Sequence, residues 1–328
     1  MKVYRSLAEV PADFGPSALT IGNFDGVHFG HRRILRRLKA MADEKGWKAS
    51  VLTFDPHPTR VVAPQRTPPL MTSPERRAQL MGQEGVAQVL ILPFTRELAS
   101  LEPADFVRQL LVERLDARAV LVGDNFRFGH RQAGNVQVLA GLGQEFGFET
   151  EVVSPVKCRG RTVSSSGIRE LLRAGKVGQA ARLLERPYAL EGEVVSGRGV
   201  GSRQTVPTLN LATTAELIPA NGVYVTRTHD LDTARAWNSI TNVGFRPTFG
   251  ASDELSIETF LLSHEAATGR LEDGDPRRIR VEFLWRVRDE RRFPTPEALK
   301  SQIFKDVGAA QSYFRRARAW IGRACISC

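Results

Sequence analysis

Residues 18–35 read Ala-Leu-Thr-Ile-Gly-Asn-Phe-Asp-Gly-Val-His-Phe-Gly-His-Arg-Arg-Ile-Leu, and they carry the most informative pattern in the first half of the chain. Residues 18–21 are apolar and partly β-branched, and the run stops at Gly22, which predicts a short buried strand followed by a tight turn. A helix is predicted next, to about position 45. The start of a helix presents unpaired N–H groups and the positive end of the helix dipole, so this corner attracts a phosphate.

Two histidines lie at this corner. His28 and His31 are spaced to come together where the helix begins. Their imidazoles can donate hydrogen bonds to phosphate oxygens and stabilise the charge that develops in phosphoryl or nucleotidyl transfer. Gly22 and Gly30 allow a ligand to approach the backbone closely. In the alternative interpretation the histidines only cap the helix or face solvent, and spacing alone leaves both open.

Short apolar runs alternate with helical segments as far as about residue 154. Strands are predicted at 48–54, 86–92, 119–123 and 149–154, and helices at 73–85 and 103–113. This alternation predicts βαβ units, and therefore a doubly wound α/β fold with a parallel sheet covered on both faces. Ligands bind such sheets at the carboxyl ends of the strands, where three unusual loops lie, at 22–31, 55–58 and 123–129.

The pattern changes at Tyr188 to short alternating runs separated by turn residues. They lie at about 188–196, 208–212, 222–228, 236–243, 255–262 and 279–287, and they predict an antiparallel β-barrel or sandwich. A last helix at about 296–321 has one apolar stripe, which we expect to pack on the barrel. Because 328 residues are many for one core, we expect two domains, 1–186 and 187–328.

Composition limits the compartment and the partners. No apolar run approaches the roughly 20 residues that span a bilayer, and the first 15 residues lack the apolar region of a signal peptide, so we expect a cytoplasmic protein with no membrane partner. The three cysteines are too few for a disulfide framework. Cys325 and Cys328 form a lone C-x-x-C, which we interpret as tail thiols.

The formal net charge of +10 suits a protein that binds either nucleic acid or small phosphate compounds. The basic residues occur in scattered pairs such as Arg32-Arg33 and Arg76-Arg77, and aromatic residues are not interleaved with them. We therefore expect a basic, solvated surface and no nucleic-acid partner.

The run from Gly22 to His31 resembles the His-x-Gly-His signature of nucleotidylyltransferases, and in this longer form it resembles bacterial bifunctional riboflavin kinase/FAD synthetases. Residues 123–129 are similar to the family's Gly-x-Asp/Asn-Phe-x-Phe-Gly segment, and residues 164–169 to its Ser-Ser-Thr-x-Ile-Arg motif, with Ser166 in place of Thr. The resemblance implies a catalytic role for His28, His31 and Arg169, nucleotide binding by Gly22, Phe24, Asp25, Gly30, Asn125, Ser164 and Ser165, and flavin binding by Asp55, Pro56, His57 and Pro58.

The second half resembles riboflavin kinases. Residues 207–210 match the Pro-Thr-x-Asn motif, and a hydroxyl and an amide oxygen on one face of a strand suit Mg²⁺ bound to ATP. The similarity continues at 219–224, 242–249, 257–259 and 288–293. It implies that Glu258 is the general base, that Thr208 and Asn210 hold the metal, that Gly201 binds nucleotide, and that Arg288 and Phe293 contact the flavin.

Three segments depart from the family pattern. Asn135 stands where the family carries Asp, which puts any metal or ribose contact of that acid in doubt. Residues 202–205 and 263–278 also differ, which bears on nucleotide affinity in the second half. Phe126 and Phe128 are better explained as core residues than as flavin stackers.

The resemblance covers nearly the whole chain and implies a two-step enzyme. The barrel phosphorylates riboflavin to FMN with Mg²⁺ and ATP, and the first domain adenylates FMN to FAD and releases pyrophosphate, so the partners are small-molecule substrates. The oligomeric state stays open. One alternative is a nucleotidylyltransferase for another phosphate ester with a barrel that only binds. Another is a basic nucleic-acid-binding or regulatory protein that kept the folds and lost the chemistry.

Overall fold

A computed structural model describes residues 1–158, 160–195, 208–233, 235–248, 251–262, 276–291 and 293–321. Contacts divide the chain into two compact units, Met1–Ser165 and Ser166–Cys328. Among the residues that the structure describes, no helix has the length and apolar character needed to cross a membrane.

The first unit is built on a parallel six-stranded sheet. Its strands, in chain order, are β1 (Lys2–Tyr4), β2 (Ser17–Ile21), β3 (Lys48–Asp55), β4 (Gln88–Pro93), β5 (Ala117–Gly123) and β6 (Glu149–Val153). They lie in the order β1-β4-β3-β2-β5-β6, and every pair is parallel. β2 lies between β3 and β5, so the turn that follows Ile21 leaves the middle of the sheet. The predicted doubly wound sheet is confirmed.

Helices cover both faces of this sheet. They are α1 (Phe29–Lys45), α2 (Pro58–Val62), α3 (Pro74–Gln83), α4 (Arg96–Ala99), α5 (Pro103–Phe106) and α6 (Val136–Phe146). Side chains of β2 point alternately into two separate apolar cores, Leu19 and Ile21 into one and Ala18 into the other. The strands are therefore apolar on both faces, as a parallel sheet requires.

Several short elements complete the first unit. A π-helical segment, Val107–Val112, continues directly from α5, and the small antiparallel strands β7 (Lys157–Cys158) and β8 (Arg161–Thr162) precede the unit's end. Single 3-10 turns lie at Leu7–Glu9, Pro64–Arg66 and His130–Gln132. The first strand, β1, was not predicted, because three residues are too few to show an alternating pattern.

The second unit contains a closed antiparallel barrel. Its elements are α7 (Ser165–Arg173), α8 (Val177–Leu184), β9 (Tyr188–Val195), β10 (Leu209–Ala212), β11 (Gly222–Asp230), β12 (Ala236–Thr248), β13 (Ala251–Leu261), β14 (Arg278–Arg288) and α9 (Pro296–Ile321). The strands close in the order β10-β13-β12-β11-β14-β9. The structure thus decides for a barrel over a sandwich. Helix α8 packs on β9 and β14.

Polar side chains fill part of the barrel interior. Thr228, Ser239, Thr226, Thr241 and Thr259 have no exposed surface, and their hydroxyl oxygens are joined in that order at 2.8, 2.8, 2.8 and 2.9 Å. We call this chain the hydroxyl ladder. Because each hydroxyl has at least one partner, the polar atoms are buried without the cost of an unpaired group.

Helix α9 packs on the face of the strands opposite to the hydroxyl ladder. Val223, Val225 and Ile240 form a core with Ala310 and Phe314 of α9. Arg288 of β14 also forms an ion pair with Asp306 of α9, with 2.7 Å between Nη2 and Oδ2. The expected apolar stripe of the last helix is confirmed where Val307, Ala310 and Phe314 meet the barrel.

Candidate active sites

The two histidines of the first unit meet at the start of α1. Their rings are stacked, with 3.7 Å between centroids and 15° between planes. His28 is the N-cap of α1 and is 5% exposed, and its Nδ1 accepts the backbone N–H of His31 at 3.4 Å. In a neutral ring this bond leaves the proton on Nε2, so Nε2 is a hydrogen-bond donor. The prediction that the histidines come together is confirmed.

The loop before the histidines has a strained backbone. Phe24 and Val27 have φ angles of 49° and 36°, a left-handed region that side chains other than Gly rarely adopt. Val is β-branched, so its presence there is unusual. Such conformations cost about 1–3 kcal/mol each and persist only where surrounding contacts enforce them, which is common at functional sites.

Asp25 supplies part of that enforcement. It is 2% exposed, and its carboxylate accepts hydrogen bonds from the N–H groups of Met71 and Thr72 and from the Thr72 hydroxyl, at 3.0–3.1 Å. The N–H of Gly26 donates to the same Thr72 hydroxyl at 3.1 Å. Asp25 therefore holds the loop in place, and its position in the sequence motif is explained in part by this internal role.

The loop after β3 is linked to the loop after β2. His57 is buried and is the N-cap of α2, and its Nε2 lies 3.0 Å from Nδ2 of Asn23. Asp55 is exposed, whereas Pro56 and Pro58 are partly buried on either side of His57. The structure thus brings the predicted flavin segment and the predicted nucleotide segment together at one edge of the sheet.

Arg77 was predicted, with Arg76, to lie on a solvated basic surface, and for Arg77 that prediction is wrong. Arg77 is 1% exposed, because it lies on the buried face of α3 with Ala78, Leu80 and Met81. Its Nη1 donates to the carbonyl of Asn23 at 2.5 Å and to the Thr53 hydroxyl at 3.3 Å. A signal was present in the sequence, since Arg77 precedes Leu80 and Met81 by three and four positions.

The loop after β5 carries a mixture of exposed and core residues. Asn125 is exposed, whereas Phe128 is buried and Phe126 packs beside it, with ring centroids 5.4 Å apart. Both rings belong to the apolar core, as expected. Asn135 is the N-cap of α6, and its Oδ1 accepts the N–H groups of Gln137 and Val138 at 2.9 and 3.0 Å. This departure from the family pattern therefore has a structural role.

The segment at 164–169 starts helix α7. Ser164 is exposed, and the Ser165 hydroxyl donates to the carbonyl of Asp25 at 3.0 Å, which joins it to the strained loop. Arg169 follows one helical turn later and is 6% exposed. Gly30 lies close to His28, since a Cβ added to Gly30 would be 3.2 Å from the His28 ring. A Cβ added to Gly22 would be 3.3 Å from Phe24.

The barrel brings three polar residues side by side. Asn210 of β10 is directly opposite Glu258 of β13, and Glu258 is directly opposite Asn242 of β12. Directly opposed residues have Cβ atoms about 4.5–5.5 Å apart and point to the same face. The Ser256 hydroxyl donates to Oε1 of Glu258 at 3.0 Å and orients that carboxylate. Thr208 is exposed, two residues before Asn210.

Arg288 and Phe293 lie together at the end of β14. The Arg288 guanidinium is 5.6 Å from the centre of the Phe293 ring and pairs with Asp306, and Arg291 lies 4.9 Å from the same ring. Gly201, residues 202–205 and 263–275, Cys325 and Cys328 lie outside the described residues.

Comparisons with known proteins match both units. A family model for FAD synthetase matches residues 10–167, and one for riboflavin kinase matches residues 184–314. A bifunctional riboflavin kinase/FMN adenylyltransferase of Pseudomonas fluorescens is 36% identical over 312 residues, which are 95% of this chain and 97% of that relative. The chain belongs to the bifunctional riboflavin kinase/FMN adenylyltransferase family.

A second relative and a solved structure are also similar to this chain. The family member of Escherichia coli K12 is 32% identical over 317 residues, covering 96% of this chain and 98% of its own. A crystal structure titled as a macrolide-efflux protein from Streptococcus pneumoniae has a TM-score of 0.81 at 24% identity and covers 94% of this chain and 98% of its own. At that identity the likeness shows the fold alone. Family membership confirms the resemblance found in the motifs.

Proposed function

We propose that this enzyme phosphorylates riboflavin to FMN with ATP and then adenylates FMN to FAD with release of pyrophosphate. The observation that carries the proposal is the 36% identity to a bifunctional relative along 95% of the chain, which includes both units. Each unit also contains a polar cluster suited to one step, the stacked histidines in the first and the Glu258–Asn210 pair in the second.

In the first step, the 5′-hydroxyl oxygen of riboflavin attacks the γ-phosphorus of ATP, and the bond to ADP breaks. Glu258 takes the hydroxyl proton, and the hydrogen bond from Ser256 keeps the carboxylate in one orientation. Arg288 and Phe293 contact the flavin, and Gly201 contacts the nucleotide. Positioning and charge stabilisation supply most of the rate increase in such transfers.

The oxygen ligands of the barrel fit Mg²⁺. Thr208 directly precedes β10 and Asn210 is the second residue of that strand, opposite Glu258. Their spacing of two positions is the one that places side chains on the same face of an extended segment. A hydroxyl and an amide oxygen are hard ligands that Mg²⁺ accepts together with phosphate oxygens. An ion held by Thr208 and Asn210 would neutralise negative charge on the phosphates.

In the second step, a phosphate oxygen of FMN attacks the α-phosphorus of ATP, and the bond between that phosphorus and pyrophosphate breaks. The phosphate oxygens gain negative charge during this transfer. His28 donates a hydrogen bond from Nε2 to these oxygens, and the neighbouring His31 provides a second imidazole. Arg169, Ser164 and Ser165 hold the leaving pyrophosphate, for which a guanidinium is well suited. Gly22, Phe24, Asp25, Gly30 and Asn125 form the nucleotide side of the site, and Asp55, Pro56, His57 and Pro58 form the flavin side.

We also propose that the sequence segments of the two activities meet at 186/187, although α8 packs within the compact unit that begins at Ser166, and that the protein is cytoplasmic with small molecules as its partners. Many basic side chains are already paired with carboxylates on the protein itself, which supports a surface without a nucleic-acid site. These ion pairs are Arg5–Glu75, Arg32–Glu84, Arg36–Glu84, Arg37–Glu151 and Arg280–Glu191.

A time course tests the proposal. The purified protein is incubated with ATP and Mg²⁺ and either riboflavin or FMN, and the flavins are separated by chromatography. We expect FMN to form before FAD in the first reaction and FAD to form directly in the second. FAD from FMN without FMN from riboflavin would show that the kinase unit is inactive while the adenylyltransferase works. No product in either reaction would contradict the proposal and favour a nucleotidylyltransferase for another phosphate ester or a binding protein.

Substitution of His28 tests whether FAD formation takes place at the histidine site. His28→Ala is expected to accumulate FMN from riboflavin and to make FAD at least about 100-fold more slowly. His130→Ala is the control, because His130 is a partly exposed histidine of the same unit that pairs with Glu102. FAD formation at the parental rate by His28→Ala shows that the histidine assignment is wrong.

A further inference from the structure

A buried guanidinium lies beneath the strained loop of the first unit. Arg77 is among the largest fully buried side chains, and its Nε has no hydrogen-bond partner. The hydrogen bonds that it makes within the described residues go to neutral oxygens, the Asn23 carbonyl and the Thr53 hydroxyl. A buried charge with only neutral partners is costly, and an apolar residue of similar size would avoid that cost.

Nearby carboxylates offset part of the cost of burying Arg77. Burial lowers the pKa of its guanidinium from the ordinary value, and the negative charges of Asp25, Asp55 and Glu75 act in the opposite direction. Two of these carboxylates, Asp25 and Asp55, belong to the nucleotide loop and the flavin loop. The cation is thus held electrostatically by the same two segments that it underlies.

Arg77 completes a set of contacts that fixes the loop at both ends. Met71 and Thr72 bind Asp25 and Gly26 at one end, and Arg77 binds the Asn23 carbonyl at the other. Phe24, which has a φ of 49°, lies between these two attachments. All three binding residues come from the segment that leads into α3 and its first turns, so one element enforces the strained conformation.

Asn23 extends this set to the flavin side. Its backbone carbonyl accepts from Arg77 while its side chain lies 3.0 Å from His57 Nε2. A shift of Asn23 therefore moves His57 as well as the loop that leads to His28.

We infer that Arg77 is a positioning residue for FMN adenylyl transfer, which fixes the Asn23 carbonyl and thereby sets the nucleotide loop and His57 relative to each other. The inference rests on the proposed function, since it takes the 22–31 and 55–58 segments as the nucleotide and flavin sides. Displacements of about 1 Å in such a constellation can cost about 100-fold in rate.

The test compares Arg77→Met, Arg77→Lys and the neighbouring control Arg76→Met. Arg76→Met removes the same charge one position away, from a side chain that is not buried. We expect Arg77→Met to lower kcat for FAD formation from FMN by about 30- to 100-fold and to raise the KM for FMN. Riboflavin kinase activity of the same sample should stay within about twofold. Arg77→Lys keeps the charge and one donor nitrogen, and it should recover at least about fivefold of the lost kcat.

Folding is separated from positioning by two further measurements. Calorimetry defines a temperature at which each variant is fully folded, and kinetics are measured there, because loss of folded protein lowers apparent kcat without changing KM. In addition, Asn23→Ala removes the link to His57 but keeps the backbone carbonyl. In that background, Arg77→Met should no longer raise the KM for FMN.

Three results overturn the inference: FAD kinetics of Arg77→Met within twofold of the parent, a loss of rate with unchanged KM that follows the unfolded fraction, or equal effects of Arg76→Met and Arg77→Met. If His28→Ala also leaves FAD formation unchanged, the proposed function of this site fails with it. If His28→Ala abolishes FAD formation, only the role of Arg77 is overturned.

Discussion

Asn210 and Glu258 occupy directly opposite positions on two antiparallel strands of the barrel, with the Ser256 hydroxyl 3.0 Å from the Glu258 carboxylate. Glu258→Gln keeps the shape of this side chain and removes its ability to take a proton. We expect the rate of FMN formation from riboflavin to fall by at least about 100-fold, since general bases contribute factors of this size. FAD formation from added FMN should stay within about twofold, as measured by chromatography of the flavins.

Glu193→Gln is the matched control for this prediction. Glu193 is an exposed carboxylate on another strand of the same barrel, β9, so its replacement should leave both activities unchanged. Equal kinase rates for Glu258→Gln and Glu193→Gln would remove Glu258 from the mechanism.

Replacement of Gly30 by Ala should affect the stability and the activity of the first unit differently. It lies in the first turn of α1, where Ala is favoured over Gly by up to about 1 kcal/mol. A Cβ at this position, however, would be 3.2 Å from Cε1 and 3.3 Å from Nδ1 of His28, so the ring must move by a few tenths of an ångström. We expect Gly30→Ala to retain or increase thermal stability and to lower the rate of FAD formation about tenfold.

Gly141→Ala provides the comparison, because Gly141 is also helical, in α6, and a Cβ there meets nothing within 4 Å. This variant should gain similar stability and keep full activity. If Gly30→Ala makes FAD as fast as Gly141→Ala, close packing against His28 is not important for catalysis.

The hydroxyl ladder should contribute to the stability of the barrel. Thr241→Val keeps the side-chain shape but removes the bonds to Thr226 and Thr259, and it leaves the buried Thr259 hydroxyl without that partner. We expect the free energy of unfolding of the second unit to fall by about 1–3 kcal/mol in a denaturant titration. Thr241→Ser, which keeps the hydroxyl, should cost less, about 1 kcal/mol for the lost methyl group. A Val variant at least as stable as the Ser variant contradicts this role.

Asp230 should make the barrel sensitive to acid. Burial raises the pKa of this carboxyl, but hydrogen bonds from the Thr233 hydroxyl, from backbone N–H groups and from Arg235 outweigh burial, so the pKa is lowered from 3.8. A lowered pKa in the folded state stabilises the fold above the unfolded pKa, and this contribution is lost as the pH falls through the folded value. Asp230→Asn should therefore lower the unfolding temperature at pH 7, and this deficit should be smaller at an acidic pH below about 3.9, the ordinary pKa of Asp. An equal difference at both pH values contradicts the assignment.

The sequence predicted both architectures because their patterns are repeated many times. Short apolar runs that alternate with helices indicate a parallel sheet covered on both faces. The short alternating runs after Tyr188 indicate an antiparallel barrel or sandwich. Family motifs then placed His28, Glu258 and Asn210 in loops and strands that the structure confirms.

The supporting contacts could not be predicted in the same way. The bond between Asn23 and His57 joins residues 34 positions apart, and it depends on which strands are neighbours in the sheet. The left-handed backbone of Phe24 and Val27 contradicts local preference, so only the surrounding contacts specify it. Arg77 was assigned to the surface by residue type, although its phase on α3 places it on the buried face.

Helix α8 affects how this protein is divided for expression. Its Val177, Ala180 and Leu184 are buried, and it packs on β9 and β14, within the compact unit that begins at Ser166. A recombinant fragment that starts at Pro187 would leave these two strands without α8, and the uncovered apolar surface favours self-association. A fragment that starts at Ser166 keeps α8 packed on these strands, so we expect it to be the more soluble fragment for kinase assays and crystallisation.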